Sequence, residues 1–93
     1  MISRKPWFYA WKSGRQSLLP KLPRLNARAI INALQHLGFE VQRQSGSHVI
    51  LKHSLTGMRA VVPEHGGRDI PVGTLAHILK EAGVNAADFV AEL

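Results

Sequence analysis

Three short runs of alternating apolar and polar residues occupy the middle of this chain, and a turn signal follows each of them. The runs span residues 39–44, 47–53 and 58–62, with glycine or proline close behind each one. A period of two is that of a half-buried strand, and connections this short join antiparallel neighbours. The pattern therefore predicts a three-stranded antiparallel meander with one face against a core.

Apolar residues at helical spacing flank the meander on both sides. Before it, Asn26 is a suitable N-cap and Gly38 suits the left-handed position after a last turn, which predicts a helix over residues 27–37. After it, a second apolar stripe predicts a helix over residues 72–82, with Gly83 at its end.

A short third helix is predicted at the end of the chain. Asn85 and Asp88 resemble a capping box in which Asp replaces the usual Glu or Gln. The helix that follows is expected to bury Phe89, Val90 and Leu93. The complete order is α-β-β-β-α with a short C-terminal helix, an α+β fold whose helices cover one face of the sheet.

Composition narrows the class of protein. The 93 residues make one small domain, whereas a dinucleotide-binding fold or a barrel enzyme needs far more chain. Cysteine is absent, which excludes disulfides and thiolate metal sites and suits a cytoplasmic location. No apolar run approaches the roughly 20 residues of a membrane span, so we expect no membrane partner.

The net charge of +6 belongs to the start of the chain, because residues 1–24 contain six bases and no acid. Residues 25–93 contain six bases and six acids, so basicity alone is a weak argument for nucleic-acid binding by the domain. We expect residues 1–19 to be a disordered extension and residues 20–93 to form the domain. The alternative is a basic arm whose four aromatic residues stack on bases.

Histidines are left to carry chemistry, because the sequence has no G-x-S-x-G motif, no phosphate-binding glycine loop and no evident carboxylate pair. No His-x-x-x-His pair occurs, and His48 and His53 lie five apart in one predicted strand, on opposite faces. We therefore expect no metal and no other cofactor. His36, His53 and His77 are predicted to be solvated or packed at an edge, whereas His65, in a glycine-rich loop, either bonds to the sheet or approaches a ligand.

His48 differs from the other histidines because it follows a turn, Ser45-Gly46-Ser47, at the start of a strand. The missing side chain of Gly46 is expected to let another backbone approach closely. Lys52 shares the face of His48 about 13 Å along the strand. The predicted alternation of the neighbouring strand puts Gln42 and Gln44 beside the ring.

An imidazole in this place suits RNA chemistry. It can take a proton from a ribose 2′-hydroxyl or give one to a leaving oxygen, and RNA carries its own nucleophile. Transesterification and hydrolysis both stay open. From the residues alone, a surface histidine without a catalytic role is the alternative.

Four motifs in a fixed order resemble the HicA (YcfA-like) toxin family. They are Leu34-x-x-x-Gly38-Phe39, Gln44-Ser45-Gly46-Ser47-His48, Val62-Pro63-x-His65 and Gly73-Thr74-Leu75-x-x-Ile78-Leu79-Lys80-x-Ala82-Gly83. The resemblance covers residues 20–93 and implies a fold like that of the double-stranded RNA-binding domain. It implies a ribonuclease toxin that cleaves mRNA, with His48 as catalytic residue and Gly46 and Ser47 in the same motif. It also implies a HicB-type antitoxin that covers the histidine, with oligomers formed through that antitoxin.

The chain departs from this family in two ways. Residues 1–19 are an addition, and the domain is neutral where these toxins are commonly basic. Because the domain is neutral, we expect its individual cations to matter for substrate binding. The expected substrate-binding cations are Lys52, Lys21, Arg24 and Arg28. Two alternatives stay open: a non-catalytic RNA-binding module, which needs cations that the start of the second helix lacks, and a module that only titrates its antitoxin.

Overall fold

The structure, a computed structural model, describes residues 21–93. The predicted extension, residues 1–19, and the predicted first residue of the domain lie outside these residues. The elements follow the order β1 (Leu25–Asn26), α1 (Ala27–His36), β2 (Phe39–Ser45), β3 (His48–His53), β4 (Arg59–Pro63), β5 (Asp69–Ile70), α2 (Val72–Ala82) and α3 (Ala86–Val90).

The central element is a three-stranded antiparallel sheet in the order β2-β3-β4, which confirms the predicted meander and the α+β fold. Helices α1 and α2 pack on one face of this sheet, and β1 pairs with β5 in a separate two-stranded ribbon. The sequence pattern does not predict this ribbon, because two residues per strand are too few for a period of two to be visible.

Helix ends lie where the capping residues predict them. The side chain of Asn26 accepts a hydrogen bond of 3.0 Å from the Ala29 N–H, and α1 begins at the next residue after Asn26. Helix α2 ends at Gly83, whose φ of 73° is the left-handed conformation that glycine adopts without strain.

No helix within residues 21–93 combines the length and the apolar character needed to cross a membrane.

The short third helix is also confirmed, and one prediction about its packing is wrong. The Asn85 side chain accepts a 2.8 Å hydrogen bond from the Asp88 N–H, and Phe89 is fully buried. Val90 is half-buried, whereas Leu93 is 52% exposed. Because α3 already ends at Val90, the apolar spacing that predicted burial of Leu93 does not continue to the end of the chain.

A single hydrophobic core joins the helices to the inner face of the sheet. Aliphatic side chains dominate it, and Phe39 and Phe89 are its aromatic members. Its buried members are Ala27, Ile30, Ala33, Leu34, Phe39, Val49, Leu51, Ala60, Val62, Ile70, Leu75, Ile78, Leu79, Ala82 and Phe89. Within residues 21–93, this one-sided packing leaves the opposite face of the sheet without a helix.

A β-bulge interrupts β2. Val41 is paired with Leu51 and Arg43 with Ile50, so that Gln42 has no direct partner on β3. Beyond the bulge the alternation of the strand is inverted relative to the sequence pattern. The predicted position of Gln44 is therefore wrong: it lies opposite Val49, on the side of the sheet that faces the helices.

Candidate active site

The face of the three-stranded sheet that turns away from α1 and α2 is called the outer face here. Residues directly opposite each other in antiparallel strands point to the same face, so the register defines its members. They form three rows: Glu40, Lys52 and Arg59; Arg43, Ile50 and Val61; Ser45, His48 and Pro63. The centre is apolar, the first two rows carry three cations, and His48 lies at one end.

A two-residue hairpin loop presents His48. Ser45 and His48 are paired, and Gly46 and Ser47 connect them. Gly46 has a φ of 60° and Ser47 a negative φ, the combination of a type II′ turn. Because His48 is paired with Ser45 on one side and with Pro63 on the other, its backbone is fixed from both sides while its ring is exposed.

Among the described residues, none fills the space above the turn. A Cβ atom added to Gly46 would meet no other heavy atom within 4 Å, so the close backbone approach expected at this glycine is not found. The positive φ, and not crowding, requires glycine here. An open surface beside an exposed imidazole leaves room for a large ligand.

The bulge changes which side chains accompany His48. Gln42 is unpaired and Gln44 lies on the other side of the sheet, so the prediction that both glutamines flank the ring is wrong. Arg43 takes the place on the outer face instead, diagonally across from His48. Such diagonal positions are about 7–8 Å apart, within reach of a long side chain. Arg43 and Lys52 are the cations that the sequence suggests for contact with acids of an antitoxin, but the alternation of the strand does not predict Arg43 beside the ring, because no residue pattern indicates the bulge.

The other predicted substrate-binding cations fall into two groups. Lys52 is exposed on the outer face. It lies on the same strand as His48, and Ile50 is the one outer-face residue of that strand between them. Lys21, Arg24 and Arg28 are exposed too, but they lie before β1 and in the first turn of α1. They are therefore not members of the outer face.

Charge is unevenly distributed over this neutral domain. The outer face carries three cations and one carboxylate, that of Glu40. Residues 72–93 at the other side of the molecule carry one cation, Lys80, and three carboxylates. Residues 25–93 are neutral in total, but the outer face of the sheet has an excess of positive charge.

Three histidines have structural surroundings that differ from those of His48. The His36 ring lies 3.7 Å from a carboxylate oxygen of Glu92, and His77 is exposed on α2. His53 faces the inner side, as its offset from His48 predicts, and bonds to three backbone groups. Within residues 21–93 no three histidine, aspartate or glutamate side chains converge as a metal site would require.

The loop that carries His65 is attached to the turn that carries His48. The Glu64 N–H donates a 2.6 Å hydrogen bond to the Ser47 carbonyl, one residue beyond the paired Pro63. The Arg68 N–H then donates to the His65 carbonyl at 3.1 Å across two glycines with φ of 60° and 84°. Positive φ at both central residues is typical of a type I′ turn, so glycine is required at both.

A comparison with protein families matches most of the described domain. The family model described as HicA toxin of bacterial toxin-antitoxin matches residues 27–84, which is well over half of the chain. The matched range begins with α1 and extends past α2, so it includes the whole outer face and both histidine-bearing turns. A search of curated proteins found no significant match.

Proposed function

Because the chain belongs to the HicA toxin family of bacterial toxin–antitoxin systems, we propose that it is a ribonuclease toxin that cleaves mRNA on its outer face, with His48 as the acid–base residue. The observation that supports this proposal best is an exposed imidazole on a cationic surface, held by a backbone paired on both sides. A backbone paired on both sides fixes the point from which the ring extends, and a fixed starting point favours acid–base catalysis.

The proposed chemistry uses the nucleophile that RNA carries. The His48 imidazole takes the proton of a ribose 2′-hydroxyl, the 2′-oxygen attacks the adjacent phosphorus, and the bond from phosphorus to the 5′-oxygen breaks. The 5′-oxygen takes a proton from a donor on its own side of the phosphate as it leaves, which gives a cyclic 2′,3′-phosphate and a 5′-hydroxyl end. One positioned acid–base group contributes about 10²- to 10⁴-fold in rate, so a slow enzyme is expected.

Cations of the outer face hold the substrate in this proposal. Arg43 is the cation that the register brings nearest to His48, and its guanidinium suits a phosphate because it offers a planar fork of donors. Lys52 lies farther along the same strand and contacts a neighbouring phosphate. Gly46 and Ser47 leave the backbone of the turn open to the ribose–phosphate chain. Lys21, Arg24 and Arg28 extend the contact with RNA beyond the sheet.

The antitoxin occupies the same surface in this proposal. Val61, 44% exposed beside the buried Ile50, suits an apolar side chain of the partner, and the surrounding cations suit carboxylates. A partner bound there excludes RNA from His48. Charge reversal by Lys52→Glu should weaken the complex with the cognate antitoxin in a calorimetric titration, while Lys80→Glu on α2 should not.

The decisive experiment compares three forms of the chain: wild type, His48→Ala, and His77→Ala as a matched control from an exposed helical position. Inducible expression in bacteria is followed by growth and by the integrity of total mRNA, and the purified proteins are tested on RNA. We expect growth arrest and mRNA loss with wild type and His77→Ala, and neither with His48→Ala. Circular dichroism and thermal unfolding check that all three are folded.

The alternatives give different results. Cleavage by His48→Ala at the wild-type rate refutes the assignment of the catalytic residue. RNA binding without cleavage by any of the three folded proteins indicates a non-catalytic RNA-binding module. Antitoxin binding without RNA binding indicates a module that only titrates its partner.

A further inference from the structure

The reaction proposed for His48 has a geometric requirement that one imidazole does not meet. In a phosphoryl displacement the attacking and leaving oxygens lie roughly in line on opposite sides of phosphorus. A group that takes the proton from the 2′-oxygen is therefore badly placed to protonate the 5′-oxygen in the same step. A second proton donor is needed on the other side of the phosphate.

From the placement of the loop after β4, we infer that His65 is this second group, the general acid that protonates the leaving 5′-oxygen. The inference rests on the proposed function of His48. It concerns a residue that is exposed and lies in the loop attached directly to the turn of His48.

Strand register places His65 near His48. Pro63 lies opposite His48 on the outer face, and the hydrogen bond from the Glu64 N–H to the Ser47 carbonyl continues the pairing by one residue. His65 follows Glu64 directly, so its backbone lies beside the turn that carries His48. Exposed imidazoles on two adjoining turns can contact opposite sides of one phosphate.

The loop has the rigidity that a catalytic side chain needs. The hydrogen bond of Glu64 fixes its first residue, and the type I′ turn from His65 to Arg68 fixes its path away from the sheet. A Cβ atom added to Gly66 or Gly67 would meet no other heavy atom within 4 Å, as at Gly46. Among residues 21–93, no heavy atom crowds the glycines of either histidine-bearing turn, which leaves the exposed His48 and His65 accessible to a ligand.

Two histidines account for both proton transfers of the step. His48 gains the proton of the 2′-hydroxyl as the bond from the 2′-oxygen to phosphorus forms. His65, in its imidazolium form, gives a proton to the 5′-oxygen as the bond from phosphorus to that oxygen breaks. Exchange with water afterwards returns both rings to their starting states, and no other reactant is required.

The test uses a leaving group that needs no proton. A short RNA whose cleavage position has been mapped with the wild-type protein is prepared in two forms, one with the normal 5′-oxygen and one with sulfur in its place. A thiolate leaves without protonation, so loss of the general acid matters little for the sulfur substrate. The forms compared are wild type, His48→Ala, His65→Ala, His65→Gln, and His77→Ala as control, each checked for thermal unfolding.

We expect both His65 variants to cleave the normal RNA at least 100-fold more slowly than wild type and the sulfur RNA within about tenfold of it. His48→Ala should be inactive on both, because the 2′-hydroxyl still needs a base. Equal loss by the His65 variants on both substrates indicates a binding or structural role and overturns the inference. So does unchanged cleavage of the normal RNA, whereas an active His48→Ala overturns the proposed function itself.

Discussion

The Nε2 atom of His53 lies 2.9 Å from the carbonyl oxygen of Leu37, which connects the end of the central strand to the end of the first helix. The Nδ1 atom of the same ring accepts hydrogen bonds from the Leu55 and Thr56 N–H groups, at 3.0 and 3.2 Å. Two donors on Nδ1 require the neutral tautomer with hydrogen on Nε2. The ring also packs edge-on against Phe39, with centroids 5.0 Å apart.

His53→Ala should therefore destabilise the domain without touching the candidate active site. The substitution leaves one carbonyl and two N–H groups of the backbone without their partner and removes an aromatic contact, which together cost about 2–4 kcal/mol. Urea unfolding measures the loss, with His77→Ala on the surface of α2 as control. A change below about 0.5 kcal/mol would show that water replaces the ring without cost.

Gly38 supplies a second test of the same junction. Its φ is 104°, and a Cβ added there would lie 2.7 Å from the His53 Nε2 atom. Gly38→Ala should cost about 1–3 kcal/mol in backbone strain alone and should displace the ring as well. Gly73→Ala is the matched control, because Gly73 lies in α2, has no positive φ and has open space around it. There alanine should stabilise the domain by up to about 1 kcal/mol, since it favours the helix.

Equal effects of the two alanines on the free energy of unfolding would contradict this account. The comparison separates the general cost of an added methyl group from the specific cost of a positive φ beside a packed ring.

Much of the fold could be predicted because its signals are local. Asn26, Gly38 and Gly83 mark helix ends through their own hydrogen bonds or backbone freedom, and the predicted bounds of α2 agree with the structure residue for residue. The hairpin at Gly46 follows from the same kind of reasoning. The separation of His48 from His53 required nothing beyond the period of two.

The parts that could not be predicted depend on pairing between distant residues. The bulge at Gln42 is defined against β3, and its consequence is that Arg43 replaces Gln44 on the outer face. The ribbon of β1 and β5 joins residues more than forty positions apart through two pairs. The role of His53 likewise depends on the Leu37 carbonyl, sixteen residues away. In each case the information lies in the tertiary structure and not in a residue pattern.

Lys52 should contribute to the binding of RNA more than to its cleavage. It lies about 13 Å along the strand from His48, too far to share a phosphate with the ring. Lys52→Gln should raise KM a few-fold with little change in kcat, and it should lower the slope of log Kd against log salt by about 0.7. Lys80→Gln removes the same charge from α2 and should alter neither quantity. A large loss of kcat in Lys52→Gln would place this side chain closer to the reaction than the register does.

Arg43 should contribute to the cleavage step, because the bulge places it diagonally across from His48. Loss of a charged hydrogen bond to the reacting phosphate costs about 1.5–3 kcal/mol, so Arg43→Gln should lower kcat/KM about 10- to 100-fold. The matched control is the double variant Gln42→Arg with Arg43→Gln, which keeps the composition and the net charge but moves the cation to the unpaired residue of the bulge. Single-turnover cleavage of the same RNA compares them. If position matters, the double variant should be as slow as Arg43→Gln; if it cleaves like wild type, the sheet face acts through its net charge and the bulge has no part in the reaction.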